Sequence, residues 1–191
     1  MSCQEVLVVS KDKDVVVVEV PGDIVFVELP VEQLPEPFSA SFGAFYDTTT
    51  QTGPTGTGQP ISVNSVTGAV GMSRSGVGRI VLDDVGTYKM TYSIQLSNTD
   101  NTVHYADIWL KYNNSNYPFS NTRFHVPARK SAGEPGFAVA TVDYIGTSQN
   151  VGDYVELFWK TDSTLVTIPT LAAYDGVPDT PGVIVNLSQI A

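Results

Sequence analysis

Apolar residues in this chain come in short runs. No stretch keeps the helical spacing of i, i+3, i+4 and i+7 without interruption by Gly, Pro or β-branched clusters. The runs are rich in Val, Ile, Thr, Tyr and Phe and are bounded by Gly, Pro, Asn, Asp and Ser, as is typical of short β-strands. Many such strands in one chain predict an all-β sandwich or barrel.

Residues 38–191 are predicted to form one β domain. The runs place its strands at residues 38–46, 61–65, 78–82, 86–96, 105–112, 137–145, 154–160, 165–173 and 183–189. That number of strands suits a jelly-roll sandwich of two sheets. The segment between residues 48 and 58 is polar and rich in Thr and Gly, so we expect a surface loop there.

Residues 1–37 differ from the rest and predict a separate β arm. Strands are expected at residues 5–10, 15–20 and 24–29, followed by a linker that Pro30, Pro35 and Pro37 stiffen. The Val run at residues 15–18 has no polar alternation, so it needs cover on both faces, and an isolated hairpin cannot supply that cover. Either the arm packs on the main domain, or it packs against copies of itself or another protein. We favour the second alternative, in which the docking residues are Val15, Val16, Val17, Val18, Ile24, Val25 and Phe26.

Aromatic residues in the predicted strands form a second group of candidates. Alternation in residues 107–112 places Trp109 on the face opposite Ile108 and Leu110, and Phe158 and Trp159 fall on opposite faces of their strand. One face fills a core, and the other calls for a partner, because aromatics are enriched at subunit interfaces. Sugar stacking on an exposed Trp is a further alternative. The residues assigned to subunit interface or core are Tyr88, Trp109, Tyr154, Phe158 and Trp159.

Composition narrows the function classes. The 191 residues include 10 Lys and Arg against 20 Asp and Glu, a formal net charge of −10, and this shortage of cations disfavours nucleic-acid binding. The single cysteine, Cys3, leaves no intrachain disulfide and no cysteine zinc site. Neither a signal-peptide pattern nor a membrane-spanning apolar run is apparent, so we expect synthesis in a cytoplasm without a membrane anchor.

Catalytic motifs are not recognisable. The glycines between residues 53 and 58 lack the Lys of a phosphate-binding loop, and His104 and His125 stand outside any metalloprotease spacing. Asp83 and Asp84 precede Gly86 in what we interpret as a turn between strands. We therefore predict a protein that is not an enzyme and that uses no cofactor and no metal.

Several segments resemble known families. Residues 85–92, Val-Gly-Thr-Tyr-Lys-Met-Thr-Tyr, resemble the Gly-x-Tyr-x-Phe strand of the C1q/TNF-like jelly-roll family. Residues 92–96, 107–111 with their continuation to Pro118 and 120–122, and 152–159 resemble a family of C-terminal β domains in bacteriophage virion proteins. The ending, residues 181–190, is similar to the terminal strand of that family. Together these segments extend the resemblance over residues 38–191.

The resemblance implies a homotrimeric jelly roll that acts as a structural or appendage module on the outside of a virion. The arm is similar to the anchoring segments of phage head fibres and decoration proteins, which implies docking on a capsid or another virion protein. The chain has no collagen-like stalk and no coiled coil, so any fibre is expected to be short. Our first hypothesis is a capsid decoration or short head-fibre protein. The alternative is a receptor-binding tail appendage whose loops hold a host surface glycan.

Overall fold

A computed structural model describes residues 15–20, 23–28 and 40–191 of the chain. These residues form antiparallel strands and connecting turns, with no helix among them. Consequently the described part contains no helix that is long and apolar enough to cross a membrane. The chain divides into two units, Met1–Ser39 and Ala40–Ala191.

The first unit contains one antiparallel hairpin. Strand β1 (Val15–Val20) pairs with β2 (Asp23–Glu28) along its whole length. The bounds of β1 match the prediction, and β2 begins and ends one residue before the predicted 24–29. The predicted strand at residues 5–10 and the linker prolines lie outside the described residues.

The second unit is built from short strands that follow one another with few long connections. In chain order they are β3 (Phe42–Asp47), β4 (Gln51–Thr52), β5 (Gln59–Pro60), β6 (Ser65–Val70), β7 (Met72–Ser75), β8 (Arg79–Leu82), β9 (Gly86–Asn98), β10 (His104–Tyr112), β11 (Ser115–Asn116), β12 (Thr122–Val126), β13 (Gly136–Ser148), β14 (Tyr154–Thr161), β15 (Val166–Ile168) and β16 (Val183–Gln189).

These strands form two sheets. In the first, here the β9 sheet, the neighbours run β13, β9, β16, β3 and β6, while β15 and β4 extend it beside the far end of β9. In the second, here the β10 sheet, the row is β10, β14, β8 and β7, with β11 and β12 beside β10 and β5 beside β14.

The core lies between the two sheets and follows from side-chain alternation. Along β9 the even-numbered residues from Tyr88 to Leu96 are buried, while their odd-numbered neighbours face outward. Opposite them the β10 sheet contributes Ile108, Leu110 and Trp159. Burial of each such large apolar side chain contributes on the order of 1.5–3 kcal/mol. The sandwich therefore has its own core within Ala40–Ala191.

Gly71 joins the two sheets at the turn between β6 and β7. Its φ of 65° is in the left-handed region, which a residue with a Cβ adopts at a cost. A Cβ built there would also lie 1.9 Å from Ser41 Oγ. This position therefore requires glycine for two independent reasons.

Two predicted strands are wrong in position or length. Residues 61–64 form no strand, although Ile61 and Val63 are buried; their amides donate to Leu157 O (2.8 Å) and Val77 O (3.0 Å) in irregular contacts. The strand in this region is β6 instead. In the predicted strand at residues 165–173 only Val166–Ile168 is regular, because Pro169 has no N–H to continue the ladder.

Strands β7 and β12 were not predicted. Both lie at the edges of the β10 sheet, and both carry mostly polar side chains, such as Arg74 in β7 and Arg123 in β12. An edge strand needs little apolar surface, so its sequence lacks the pattern that identifies a core strand.

Candidate functional site

The predicted docking residues of the arm lie in the β1–β2 hairpin. Val17 pairs with Phe26, Val18 pairs with Val25, and Ile24 pairs with Glu19. Val15 and Val16 continue the same ladder. The backbone thus brings all of the predicted docking residues into one two-stranded ribbon, while docking itself stays a prediction.

The five candidate aromatic residues separate into two groups. Trp159 and Tyr88 belong to the core, where they are 1% and 4% exposed. The Tyr88 hydroxyl donates to Asp84 O at 2.9 Å. These two residues fit the core alternative of the prediction.

Trp109, Phe158 and Tyr154 form the second group, on the outer face of the β10 sheet. All three are half-buried, and the rings of Trp109 and Phe158 have centroids 5.8 Å apart. Cations cover two of these rings: Lys111 Nζ lies 4.1 Å from the Phe158 centroid, and the Arg79 guanidinium lies 4.5 Å from that of Tyr154. Their partners are therefore supplied within the chain.

The same face carries ion pairs between neighbouring strands. Arg123 binds both carboxylate oxygens of Asp107, at 2.9 and 2.8 Å, and lies 4.0 Å from the ring centroid of Tyr105. The Arg123 guanidinium lowers the pKa of the Asp107 carboxyl below its usual range. Arg79 Nε also pairs with Glu156 Oε1, at 3.1 Å. The two carboxylates on this face, Asp107 and Glu156, are thus each paired with an arginine.

A groove of about 450 Å³ opens on this face beside Trp109. Its lining residues come from β10, from the β11 turn and the loop after it, and from the end of β14: Asp107, Trp109, Asn116, Tyr117, Pro118, Phe119, Ser120, Asn121 and Lys160. The Trp109 indole N–H donates to Asn116 Oδ1 at 3.0 Å, which fixes the indole ring at one side of the groove.

Phe119 projects from the loop beside the groove and is fully exposed. Its φ of 59° lies in the left-handed region, which is uncommon for a bulky residue. The next residue, Ser120, is buried and anchors the loop: its hydroxyl accepts from Leu110 N at 3.0 Å and donates to Tyr117 O at 2.7 Å. The Tyr144 hydroxyl donates to Ser120 O. The exposed ring is thus held outward by a fixed backbone.

The outer face of the β9 sheet has a different character. On its strands it carries one cation and one anion, Lys89 and Asp143, which pair with each other at 3.2 Å. Strand pairing places the small polar side chains Thr91 and Ser93 at its centre. Around them stand exposed apolar side chains: Phe42, Val70, Phe137, Val139, Ile145 and Ile184. We call this outer surface of the β9 sheet, which also includes Tyr46 on β3, the assembly face.

A second cavity lies between the sheets near the end of β13. It has a volume of about 60 Å³ and is lined almost entirely by apolar atoms, including those of Met90, Leu110 and Tyr144. That volume matches roughly two water molecules. The cavity is therefore a small, largely apolar gap.

His104 is a titratable group outside these faces that has two carboxylate neighbours. His104 Nε2 lies 2.9 Å from Asp100 Oδ2, and Nδ1 lies at an ion-pair distance of 3.2 Å from Asp162 Oδ2. The hydrogen bond with Asp100 raises the pKa of His104. No group of three or more metal-ligating side chains occurs in the part of the chain that the structure describes.

Comparisons with known proteins support the fold alone. No family model matches the chain, and no curated protein matches it. Three crystal structures of murine APRIL, determined at pH 8.5, 5.0 and 8.0, match with TM-scores of 0.49, 0.50 and 0.48 and sequence identities of 6%, 6% and 10%. Each match covers 79% of this chain and 99% of the other.

The structure at pH 5.0, with its TM-score of 0.50, and the antiparallel two-sheet topology confirm the predicted all-β, C1q/TNF-like jelly roll. At 6% identity this similarity carries no information on partners or activity. The bacteriophage origin and the location on the outside of a virion stay predictions.

The sequence reasoning missed the groove. Asn113 and Asn114, with φ values of 47° and 66°, form a two-residue turn between Tyr112 and Ser115. Two Asn between strand-like residues are a recognised signal for such a hairpin, and this signal could have placed Asn116 beside Trp109. The left-handed Phe119 had no comparable signal.

Proposed function

We propose that this chain is a non-enzymatic structural protein of a bacteriophage virion. In this proposal it is a homotrimer whose jelly-roll head stands on the particle exterior and whose N-terminal arm docks on the capsid or another virion protein. The observation that supports the proposed trimer is the exposed apolar surface of the assembly face. The phage assignment rests on the sequence resemblance of residues 38–191.

The composition of the assembly face is what a self-contact requires. Interface cores are depleted in charge and enriched in apolar side chains, and each charge left unpaired on burial costs several kcal/mol. Lys89 and Asp143 already pair with each other, so burial leaves neither without a partner. The exposed Ile184 and Val139 supply apolar area that a lone domain would leave in water.

The location of the proposed contact follows from which outer side chains of each sheet are already covered by other residues of the same chain. On the β10 sheet Phe158 and Tyr154 are capped by Lys111 and Arg79, so these rings need no second chain. The assembly face has no such internal cover. We therefore place the proposed contact on the β9 sheet rather than at the aromatic residues of the β10 sheet.

The arm is proposed as the anchor because its paired strands consist largely of Val and Ile. An isolated two-stranded hairpin is marginally stable in water and is stabilised by added strands or by packing against another surface. A virion protein that binds this ribbon would be stabilised on the particle through the same contacts. The head keeps its own core, so it does not need the arm to fold.

Electron cryomicroscopy of purified particles tests this function. The account expects density for three heads around a three-fold axis outside the shell, joined to it by the arm. Chains that lack residues 1–30 should fold, as judged by circular dichroism, and should be absent from the particles. Particles that incorporate the shortened chain at the normal level would contradict the anchoring role.

A further inference from the structure

The groove beside Trp109 combines aromatic rings with short polar groups. Trp109 forms one side, and Phe119 and Tyr117 stand on the loop that borders it. The polar lining consists of the Asn116 and Asn121 amides, the Asp107 carboxylate and the Lys160 ammonium group. Amides both donate and accept hydrogen bonds, whereas a carboxylate only accepts and an ammonium group only donates.

This set of groups matches the chemistry of a sugar ring. A pyranose presents a face of C–H bonds that packs on an aromatic ring and a rim of hydroxyls that donate and accept hydrogen bonds. An aromatic ring supplies rigid apolar area to such a face. The Asn116 and Asn121 amides and the Lys160 ammonium group supply partners for the hydroxyls, while the Asp107 carboxylate is bonded to Arg123 and to Asn121 Nδ2 (3.4 Å).

The charges of the groove argue against other ligands. One carboxylate, Asp107, and one ammonium group, Lys160, line it, so it offers no excess of positive charge for a nucleic-acid backbone. Arg123 is already engaged at Asp107 with both carboxylate oxygens. A groove with balanced charge favours a neutral ligand that is rich in hydroxyl groups.

The groove is also rigid before any ligand arrives. The hydrogen bond from Trp109 to Asn116 sets one side, and the bonds of Ser120 set the loop that carries Phe119. Holding a fully exposed phenylalanine in a left-handed conformation costs free energy, and such positions cluster at functional sites. Because the backbone of this loop is already held, the loop loses little backbone entropy on binding.

We propose that the groove between Trp109 and Phe119 is a carbohydrate-binding site for a neutral oligosaccharide. It lies on the β10 sheet, whereas the proposed assembly face lies on the β9 sheet, so a trimer leaves the groove of each copy open. The inference goes beyond the structural role proposed above and does not depend on it.

A glycan array tests the site with the purified full-length chain. The probes are oligosaccharides that end in glucose, galactose, mannose, rhamnose, fucose, N-acetylglucosamine, N-acetylgalactosamine or sialic acid. Binding is expected to one or more of the uncharged groups. Isothermal titration with the best-bound oligosaccharide then gives the affinity of a single site, free of the avidity that a trimer adds on the array.

Two variants and one control make the test specific to the groove. Phe119→Ala removes a ring that packs on nothing, so the fold is retained, and the affinity is expected to fall about tenfold. Asn121→Ala removes one amide and should weaken binding by several-fold. Tyr174→Ala removes another exposed aromatic side chain that does not line the groove, and it should bind as the wild type does.

Absence of binding to every probe would overturn the proposal. Binding that Phe119→Ala and Asn121→Ala leave unchanged would overturn it as well, as would binding to sialic acid probes alone. Sedimentation of the same samples separates the two proposals: a monomer that still binds the oligosaccharide contradicts the trimer and leaves the groove supported.

Discussion

The two outer faces of the sandwich are both built from antiparallel strands but differ in how their charged, aromatic and aliphatic side chains are arranged. On the β10 sheet, aromatic rings are capped by Lys111, Arg79 and Arg123, and carboxylates are paired with cations. The β9 sheet instead presents small polar and apolar side chains around one ion pair, Lys89–Asp143. On the first face the carboxylates and the rings of Phe158 and Tyr154 have partners within the chain, whereas the apolar side chains of the second face are exposed. The two faces therefore differ in the placement of charge, and this difference is the basis of the proposed self-contact on the β9 sheet.

The largest effect is expected from a charge placed on the assembly face. Ile184 lies on β16, between β9 and β3, so a lysine at this position would be buried without a partner in the proposed contact. Ile184→Lys should weaken self-association roughly 100-fold, since an uncompensated buried charge costs about 3 kcal/mol or more. Sedimentation equilibrium measures the effect.

The matched control places the same charge elsewhere. Val151 is 71% exposed in the turn before β14, and Val151→Lys should leave self-association unchanged. Equal weakening by both variants would mean that net charge, rather than the assembly face, governs association.

A change at Asp153 is expected to lower the stability of the fold itself. This buried carboxylate accepts from the Tyr112 hydroxyl, from Asn113 Nδ2 at 2.7 Å and from the amides of Gln149 and Asn150 at 2.8 Å. Asp153→Asn should lower the free energy of unfolding by about 2–3 kcal/mol, as expected for hydrogen bonds to a charged group. Asp175→Asn, in an exposed turn, is the control and should change the unfolding midpoint little in urea titration.

Asp153 also gives the sandwich an acid sensitivity. The Tyr112 hydroxyl, with the Asn113 amide and the amides of Gln149 and Asn150, holds the pKa of Asp153 well below its usual range. Because this pKa is depressed in the folded state, its stabilisation is present above about pH 4 and is lost as the pH falls through the lower value. Urea unfolding between pH 5 and pH 2 should therefore show a steeper loss for the wild type than for Asp153→Asn, and parallel curves would contradict this assignment.

His104 should produce a smaller effect of the opposite sign. Its pKa is raised by the hydrogen bond to Asp100, so the stabilisation is complete below about pH 6.5 and is lost as the pH rises through the raised value. The difference in urea midpoint between the wild type and His104→Gln should shrink from pH 5.5 to pH 8.5. A difference that stays constant over this range would show that protonation of His104 does not contribute to the pH dependence of stability.

The smallest effect is expected from one ion pair on the β10 sheet. Arg123→Gln removes the bidentate partner of Asp107, so the pKa of Asp107 should rise towards its ordinary value, while self-association stays as in the wild type. A titration followed by nuclear magnetic resonance of the Asp107 carboxyl carbon measures the shift. Loss of self-association in this variant would show that the contact involves the β10 sheet and would contradict its placement on the β9 sheet.

Much of the fold was open to prediction from the sequence because core strands alternate. Residues 183–189 match β16, and the predicted strand at residues 105–112 lies within β10, with Trp109 on the face opposite Ile108 and Leu110 as the alternation predicted. The strand prediction was wrong where residues alternate in burial but do not form the hydrogen bonds of a strand. Ile61 and Val63 are buried in alternation yet belong to no strand, since their amides donate singly to Leu157 O in β14 and to Val77 O in a turn.

The groove depended on relations that no local pattern contains. Ser120 is a single small polar residue, and its importance arises from Leu110, ten positions earlier, and from Tyr144, twenty-four positions later. Predicting it would require the register of β10 and β13 in advance. In the same way, the single ion pair of the assembly face emerges only after β9 and β13 are paired.

Sedimentation equilibrium of the wild-type chain tests the central claim most directly. The account predicts a single species of about three times 20.5 kDa at micromolar concentration, whose mass falls towards that of one chain on dilution. A species of 20.5 kDa at every concentration would contradict it, because the assembly face would then be stable in water without a partner.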